Sequence, residues 1–285
     1  MSQSASRESV SVVIPCYNSA RYLRETVESV SVDDGRALEV VLVDDGSQDE
    51  TRAIMAELAA EDVAEGSKRR IRIIEQENGG VAAARNAGIS VAQNAYIVPL
   101  DADDLLQPTM IGTCARALDA ENHVSIVYTD RWEFGDVEQV WPAGAFKLHR
   151  LKYFNQIGYC CMLRQRVWDA IGGYRVNVTG FDDWDFWIAA ASRGFKTKYV
   201  AEPLWRHRQR EDSQLWGLID RYESLYAQII VNNASAYSEV EIASALAFLE
   251  GGAPPSPLLQ AAALVFRGQF LPRMHAGGGP SWAGG

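Results

Sequence analysis

The strongest constraint on the fold is an alternation, in the first half of the chain, between short β-branched runs and amphipathic stretches. The second kind includes SARYLRETVESV, which places Leu23 and Val27 on one helical face behind a predicted Ser19 cap, and DETRAIMAELAAE, which does the same with Ile54 and Leu58. Strands are predicted at 9–15, 38–45, 70–76, 95–103 and 123–130. Strands that alternate with helices build a mostly parallel sheet covered on both faces, so we expect a doubly wound, Rossmann-like α/β fold.

Composition excludes several classes of protein. The 285 residues carry a formal net charge of −10, which argues against a nucleic-acid partner because phosphate binding needs a basic face. The four cysteines lack the spacing of a disulfide framework or a zinc site. The polar start and the lack of any run of ~18 apolar residues predict neither a signal peptide nor a membrane span, so we expect a cytoplasmic protein.

The second half of the chain is organised differently. An aromatic-rich region follows the last of these strands, and a helix at DDWDFWIAAASRG and a strand at FKTKYVAE come after it. Two amphipathic helices are predicted within 214–250. We therefore divide the chain into a main domain, 1–210, with halves at about 9–130 and 131–210, a helical extension, 211–270, and a disordered tail, 271–285.

Polar clusters directly follow three of the predicted strands. They are Pro15-Cys16-Tyr17-Asn18, Asp44-Asp45-Gly46-Ser47 and Asp101-Ala102-Asp103-Asp104. Ligands of open α/β sheets collect beyond the carboxyl ends of the strands. We therefore expect the three clusters to meet at one edge of the sheet and to form a binding site there.

The cluster that follows the strand YIVPL suggests a cation site. In an extended segment Asp101 and Asp103 share a face while Ala102 points the other way, and such a pair suits Mg²⁺ held together with substrate phosphates. An EF-hand is excluded because Leu106 and Gly112 occupy the positions that need Gly and Glu. Without a cation, the two carboxylates would repel a diphosphate by ~4 kcal/mol for each pair of charges 4 Å apart, at an effective dielectric constant of about 20. The alternative is that these aspartates form a turn and cap the helix that starts near Pro108.

Five motifs in order carry a family resemblance. VSVVIPCYN, VVLVDDGSQDET, ENGGVAAARNAG, YIVPLDADD and GFDDWDFWIAAASRG resemble those of the family 2 glycosyltransferases, over roughly residues 9 to 210. The resemblance implies the GT-A fold and an inverting transfer of sugar from a nucleotide-diphosphate sugar. A UDP-sugar is the expected donor, and a carbohydrate or lipid-linked hydroxyl is the expected acceptor.

The resemblance also implies roles for the residues after the first two strands. The motif of the first strand falls on Pro15, Tyr17 and Asn18, where the backbone and Tyr17 line the nucleotide base. The acidic pair falls on Asp44 and Asp45, and Asp45 accepts from the base imide. A plain strand end and a plain turn are the alternatives for these two segments.

Further donor-side roles follow from the next two motifs. NGGVAAARN places Asn78, Gly79 and Arg85 near the nucleotide, and Arg85 supplies a cation to the acidic edge. In the DxD motif Asp101 contacts the ribose, with Ala102 in the same nucleotide-sugar contact. A helix entry at Gly79 and a solvated surface charge at Arg85 are the alternatives.

The implied cofactor is a divalent metal, Mn²⁺ or Mg²⁺. Asp103 is its expected ligand. His207, which lies between arginines in WRHRQR, could complete the metal shell, or this basic cluster could clamp the diphosphate. A solvated run of charges is the alternative.

On the acceptor side, the resemblance places the catalytic base in the acidic pair Asp182-Asp183, and we expect Asp183 to be the base. Asp182, Asp183 and Asp185 at a helix N-terminus could instead serve only the helix amides and dipole. The aromatic candidates for an acceptor platform are Trp132, Trp141, Tyr159 and Trp184, although such residues are more often core.

Two alternatives to this enzyme remain. One is a nucleotide-sugar or glycan binding module without turnover, and the other is a sugar nucleotidylyltransferase, although PCYNSARY lacks the Gly-rich basic loop that such enzymes use. The QxxRW motif of processive synthases is absent from the sequence, so we expect one sugar per encounter. The helices of 214–250 could contact the inner face of a membrane or a second subunit, but packing on the main domain is the default expectation.

Overall fold

A computed structural model describes residues 8–64, 69–210, 218 and 220–264. Within these residues the chain forms one nine-stranded mixed sheet flanked by helices on both faces. The strands are β1 Val10–Cys16, β2 Leu38–Asp44, β3 Arg69–Glu75, β4 Tyr96–Pro99, β5 Leu105–Leu106, β6 Val124–Gly135, β7 Gln139–Trp141, β8 Met162–Arg164 and β9 Lys196–Gln209. The helices are α1 Leu23–Ser29, α2 Thr51–Ala64, α3 Val81–Val91, α4 Met110–Ala120, α5 Leu148–Leu151, α6 Gln165–Ile171, α7 Asp182–Ser192, α8 Tyr222–Asn232 and α9 Glu239–Leu249.

The amino-terminal half is the predicted parallel sheet. The order of the strands is β3-β2-β1-β4-β8-β6-β9-β5, and the first four are parallel to one another. Every residue of β1 and β2 is buried, as expected for apolar strands covered on both faces. Cys16 lies opposite Asp44 at the carboxyl ends of β1 and β2, so the segments that follow both strands emerge at the same edge.

The carboxyl-terminal half brings a distant segment to that edge. β8 joins the two halves through antiparallel pairs with β4 and β6, and the long strand β9 runs parallel to β6. The end of β9 pairs with the short strand β5, with Arg206 opposite Leu105. The basic cluster of the sequence therefore lies beside the turn that contains Asp101 and Asp103.

Two hydrophobic clusters lie on the two faces of the sheet. One contains residues of α1, α2 and α4, for example Leu23, Leu58 and Ile111. The other contains residues of α3, α6, α7 and α8, for example Trp187 and Tyr226. Because both clusters include side chains from β1 and β2, the sheet is held on both sides and its carboxyl edge is fixed in place.

Two local predictions, and the capping half of one alternative, are wrong. The strand predicted at 95–103 ends at Pro99, and a turn in which the Asp104 amide donates to the Asp101 carbonyl replaces the extended segment. Helix α1 begins at Leu23 after a turn, so Ser19 does not cap it. The aspartates do not cap α4 either, because Thr109 occupies the N-cap position. The face-sharing argument for the DxD motif therefore does not hold.

The two helices predicted within 214–250 correspond to α8 and α9, and residues 257–264 are helical as well. Helix α8 buries Leu225, Tyr226, Ile229 and Ile230 in the cluster that also contains α7, so it packs on the main domain. The predicted tail, 271–285, lies outside the described residues. None of the helices in the described part of the chain combines the length and apolar character that crossing a bilayer requires.

Candidate active site

The polar segments at the carboxyl edge of the sheet enclose a cavity of about 520 Å³. It is lined by nine of the residues predicted from the sequence, which are Pro15, Tyr17, Asn18, Asp45, Asn78, Asp101, Ala102, Asp103 and His207. Five others are absent from the lining, and these are Asp44, Gly79, Arg85, Asp182 and Asp183. The cavity is also lined by Arg21 and Tyr22, which were not predicted, by Tyr159, which was an aromatic candidate, and by Arg208 and Arg210 of the basic cluster.

The segment after β1 is tied to the segment after β2. Asn18 adopts the left-handed region with φ of 49°, its amide donates to Ser47 Oγ, and its Oδ1 accepts from the Gln48 amide at 2.8 Å. This conformation is one that Asn tolerates better than most residues. The neighbouring ring of Tyr17 is 45% exposed, so its face is available to a planar ligand.

Asp45 organises the loop before α3. Its Oδ1 accepts from Gln76 Nε2 at 2.7 Å and from the Gly79 amide at 2.8 Å, and its Oδ2 accepts from the Gly80 amide at 2.9 Å. Gly80 has a φ of 83°, a conformation that favours glycine. Each carboxylate oxygen has about two lone pairs, so Oδ2 can accept one further hydrogen bond from the cavity.

Asp44 faces away from the cavity. Its side chain is fully buried and accepts from the Ser47 amide at 3.1 Å and from Arg52 Nε at 2.6 Å. Burial alone would raise the pKa of this carboxyl, but the hydrogen bonds from Ser47 and Arg52 outweigh it and lower the pKa. These contacts hold the turn after β2, and the predicted nucleotide contact of Asp44 stays a prediction without support from the cavity lining.

The three carboxylates of the DxD turn, residues 101–104, each meet a different donor. Asp101 Oδ1 lies 2.5 Å from Arg85 Nη2, and Asp103 Oδ2 lies 3.0 Å from Arg210 Nη2. Asp104 is fully buried and accepts from the Tyr159 hydroxyl and from the Arg208 amide. Asp101 and Asp103 therefore meet cations, whereas Asp104 meets only neutral donors, and burial raises the pKa of Asp104 well above its usual value.

The DxD turn fits a divalent cation on chemical grounds. Burial and then the neighbouring Asp101 raise the pKa of Asp103, so two like charges are crowded at the cavity wall and a cation would relieve their repulsion. Within the described residues, no three His, Cys, Asp or Glu side chains are grouped so that they could hold a metal ion. An ion at Asp103 would therefore need further oxygen ligands from a bound molecule. His207 lines the same cavity, and its Nδ1 lies 2.8 Å from Gln209 Nε2.

The sequence left open whether the basic cluster at the end of β9 belongs to the site or is only a solvated run of charges. Arg208 donates through Nε to the Asp103 carbonyl at 2.8 Å and through Nη2 to Glu25 Oε2 at 2.7 Å. Its guanidinium also lies over the rings of Tyr22 and Phe134. The spacing of the arginines in RHRQR is the only signal for this contact in the sequence, because the pairing of β5 with β9 decides it.

Arg85 connects the DxD turn to the acidic pair Asp182-Asp183. It is buried, and Nη1 lies 2.7 Å from Asp182 Oδ2 while Nη2 binds Asp101. The ring of Tyr159 lies over the guanidinium at 5.0 Å. The sequence predicted the cation for the acidic edge, and the structure shows that the same cation also neutralises Asp182.

Asp183 lies in the first turn of α7 and is 8% exposed. Its Oδ1 accepts from the Trp184 amide at 2.7 Å, and its Oδ2 accepts from Asn155 Nδ2 at 2.9 Å. Burial and the adjacent Asp182 raise the pKa of Asp183 to about 7, against the opposing effect of Arg85. A carboxylate with a pKa near neutrality is suited to proton transfer at physiological pH.

The third acid of α7 has a structural role. Asp185 Oδ2 lies 2.8 Å from Arg175 Nη1, and its Oδ1 accepts from the side-chain amides of Asn232 and Asn233 at the end of α8. Trp184 stacks on Tyr226 in the core and is therefore not part of an exposed acceptor platform. Of the acidic residues in α7, Asp183 is the one with both a raised pKa near 7 and no cationic partner within the described residues.

Known proteins with similar sequences include bacterial glycosyltransferases. The chain is 29% identical over 191 residues to chondroitin synthase of Pasteurella multocida, a match that covers 65% of this chain and 19% of that protein. It is 42% identical over 107 residues to glycosyltransferase GlyG of Streptococcus pneumoniae, covering 37% of this chain and 34% of that protein. The chain therefore spans about a fifth and a third, respectively, of these two relatives.

Solved structures with the same fold include two with bound donors. S. aureus TarS 1–349 in complex with UDP-GlcNAc superposes with a TM-score of 0.65 at 19% identity, covering 92% of this chain and 75% of that one. The mannosyltransferase PcManGT of Pyrobaculum calidifontis, in complex with GDP-Man and Mn²⁺, superposes with a TM-score of 0.61 at 19% identity, covering 94% and 81%. This is the GT-A fold predicted from the sequence.

The family model described as glycosyl transferase family 2 matches residues 11–179, which is more than half of the chain. This range contains the segments that line the cavity after β1, β2 and β4, together with the loop before α3. The predicted family is confirmed, and the chain belongs to glycosyl transferase family 2.

Proposed function

We propose that this chain transfers one sugar from a nucleotide-diphosphate sugar, UDP-linked, to a hydroxyl acceptor with inversion. The observation that carries the proposal is the convergence of four segments, distant in sequence, on one cavity, with Arg85 joining Asp101 of its lining to the helix that carries Asp183, whose pKa is raised to about 7. Donors bound to structural neighbours, UDP-GlcNAc in TarS and GDP-Man in PcManGT, support a nucleotide-sugar as the ligand.

The nucleotide is assigned to the part of the cavity nearest β1 and β2. The exposed face of Tyr17 can stack on the base, and the remaining lone pair of Asp45 Oδ2 can accept the imide N–H that uracil carries. Pro15, Asn18 and Asn78 complete this part of the lining. Gly79 contributes indirectly, because its amide helps to orient Asp45.

The diphosphate is assigned to the wall formed by the DxD turn and the end of β9. Asp103 is the proposed ligand of Mn²⁺ or Mg²⁺, and His207 is the proposed additional ligand from the same wall. When bound, the metal would stabilise the negative charge that develops on the leaving diphosphate. Arg208 and Arg210 add positive charge at this wall, while Asp101 and Ala102 face the ribose.

Asp183 is the proposed general base. The acceptor hydroxyl gives its proton to the Asp183 carboxylate, and its oxygen forms a bond to the anomeric carbon. The bond from that carbon to the diphosphate oxygen breaks, and the diphosphate leaves with the electron pair. General-base catalysis of this kind typically increases the rate by ~10²–10⁴-fold. Asp182 is not available for this step because Arg85 neutralises it.

The acceptor is proposed to be a carbohydrate or a lipid-linked hydroxyl, as in polysaccharide biosynthesis at the cell envelope. Residues 1–210 are the proposed transferase domain, and residues 211–270 the extension. A cytoplasmic location is proposed. The extension is the proposed region of contact with the inner face of the membrane or with a second copy of the chain.

The proposed function is tested by incubation with a panel of UDP-sugars and Mn²⁺, followed by mass spectrometry of the released UDP. We expect slow UDP release from one donor, and an increase in Tm with UDP and Mn²⁺ together. An absence of both effects would contradict the proposal. UDP binding without turnover for any donor would instead identify a binding module.

A further inference from the structure

The base carboxylate has a partner that the sequence does not indicate. Asn155, in the loop between α5 and β8, donates from Nδ2 to Asp183 Oδ2 at 2.9 Å. The other oxygen of Asp183 accepts from the Trp184 amide. One donor on each oxygen fixes the rotation of the carboxylate about χ2, a torsion angle whose distribution is otherwise broad and nearly two-fold. About half of the lone pairs of the carboxylate remain free.

The loop that carries Asn155 is held in place by its neighbour. Gln156 is buried, its Oε1 accepts from the Lys147 amide at 3.1 Å, and its Nε2 donates to the Ala145 carbonyl at 3.2 Å. Both ends of this amide are therefore paired, as is usual for a structural amide. The loop positions Asn155 on Asp183 without using the Asn155 side chain for its own stability.

The other end of the Asn155 amide is left unpaired. Its Oδ1 is buried, and no hydrogen-bond partner for it is found within the described residues. An unpaired buried polar atom in a native structure calls for an explanation, and a role in catalysis is one such explanation. The contrast with Gln156 indicates that the contact with Asp183 is what determines the orientation of Asn155.

We propose that Asn155 is a positioning residue, which holds the Asp183 carboxylate in the orientation in which it takes the proton of the acceptor hydroxyl. This inference rests on the proposed function of Asp183. Asn155 is absent from the lining of the nucleotide cavity. Its effect therefore falls on the proton-transfer step and not on binding of the donor.

Several charged or titratable groups surround Asp183. Asp182 lies next to it on α7, Arg85 approaches from α3, Cys161 from the position just before β8, and Tyr174 from the segment after α6. None of these changes when Asn155 is replaced, so they form a constant background. The hydrogen bond from Asn155 lowers the pKa of Asp183, and its loss therefore raises that pKa.

The test compares Asn155→Leu and Asn155→Asp with the wild type and with Asn122→Leu, a control at an exposed position after α4. The probe is UDP release from UDP-GlcNAc, or from the UDP-sugar with the highest wild-type rate, with water as acceptor. Because Asp183 acts when ionised, the rate rises with pH through its pKa. We expect the acidic limb of kcat/KM to move upward by about one pH unit in Asn155→Leu, and further in Asn155→Asp, where a second charge is added.

A structural role alone gives a different result. It lowers kcat at every pH, in parallel with a lower Tm, and leaves the acidic limb in place. We expect kcat near pH 7 to fall by at least about 10-fold in Asn155→Leu, with the affinity for UDP unchanged and with Asn122→Leu equal to the wild type. An unmoved acidic limb in both Asn155 variants overturns the inference.

The inference can also be tested if the wild type releases no UDP. That outcome contradicts the proposed function and not the hydrogen bond from Asn155. In that case ¹³C NMR of carboxyl-labelled aspartate gives the pKa of Asp183 directly, with its resonance assigned by its absence from Asp183→Asn. A higher pKa in Asn155→Leu than in the wild type supports the orienting hydrogen bond. The same pKa in both proteins overturns it.

Discussion

Arg85 Nη2 lies 2.5 Å from Asp101 Oδ1. The same guanidinium binds Asp182 through its other nitrogen at 2.7 Å, so one buried cation joins the DxD turn to the helix that carries Asp183. Burial by itself would lower the pKa of Arg85, but Asp101 and Asp182 outweigh it and raise the pKa well above its usual value. The donor and acceptor sides of the proposed site are thus held by a shared ion.

Arg85→Met should destabilise the protein strongly. It leaves two carboxylates near the core without their cation, and breaking a buried ion pair in this way costs about 3–5 kcal/mol of unfolding free energy. We expect Tm in a calorimetric scan to fall by roughly 10 °C. Arg24→Met is the matched control, because Arg24 forms ion pairs with Glu57 and Glu61 at the exposed surface, and its Tm should change little. Similar Tm values for the two variants would contradict the role given to Arg85.

Arg210→Gln should increase the affinity for Mn²⁺ in the absence of nucleotide. Arg210 lies 3.0 Å from the Asp103 carboxylate, and a cation at Asp103 has to compete with it. Because both side chains are partly exposed, we expect Kd for Mn²⁺, measured by calorimetry, to fall by only about 2- to 5-fold. Arg116→Gln, which removes another exposed arginine, should leave this Kd unchanged. A weaker affinity for Mn²⁺ in Arg210→Gln would show that Arg210 does not compete for this carboxylate.

Asp183→Asn should remove turnover and keep UDP binding. The amide has nearly the shape of the carboxylate but cannot take a proton, so we expect kcat for the best UDP-sugar to fall by at least about 10²-fold. The Kd for UDP with Mn²⁺ should stay within about 2-fold of the wild type, because Asp183 does not line the cavity. Asp185→Asn is a useful comparison, because loss of its contacts with Arg175 should affect Tm more than kcat.

Asp183→Asn should also be more stable than the wild type at pH 8. The pKa of Asp183 is raised in the folded protein to about 7 from the ordinary aspartate pKa of 3.8, so between these values the folded state binds more protons than the unfolded state. Its contribution to the unfolding free energy therefore decreases as pH rises from about 4 to 7. We expect Asp183→Asn to raise Tm at pH 8 by at least about 2 °C, and to have little effect at pH 4. A lower Tm at pH 8 would indicate that the Asp183 carboxylate is stabilising in its ionised form.

Much of the parallel half of the fold follows from the sequence. Continuous apolar runs such as VSVVIP and LEVVLVD form strands wherever both faces are covered, and the helices between them require parallel pairing. The polar residues after these strands, Tyr17, Asn18 and Asp45 among them, were therefore predicted to meet, and they line one cavity. The turn at 101–104 was only one of two alternatives, because a polar run after a strand is compatible with either an extended or a turned backbone.

What the sequence by itself determined is the set of residues at the carboxyl edge of the parallel strands, since side-chain type is read directly from the sequence and the intervening helices require the strands to be parallel. Only the tertiary structure decided which partner each carboxylate has. Asp44 turns to Arg52 while its neighbour Asp45 faces the cavity, and Asn155 reaches Asp183 from a loop 28 residues away. The physical reason is that a buried charge binds whichever donor the packing brings within hydrogen-bond distance, and that distance is set by the whole sheet and not by spacing along the chain.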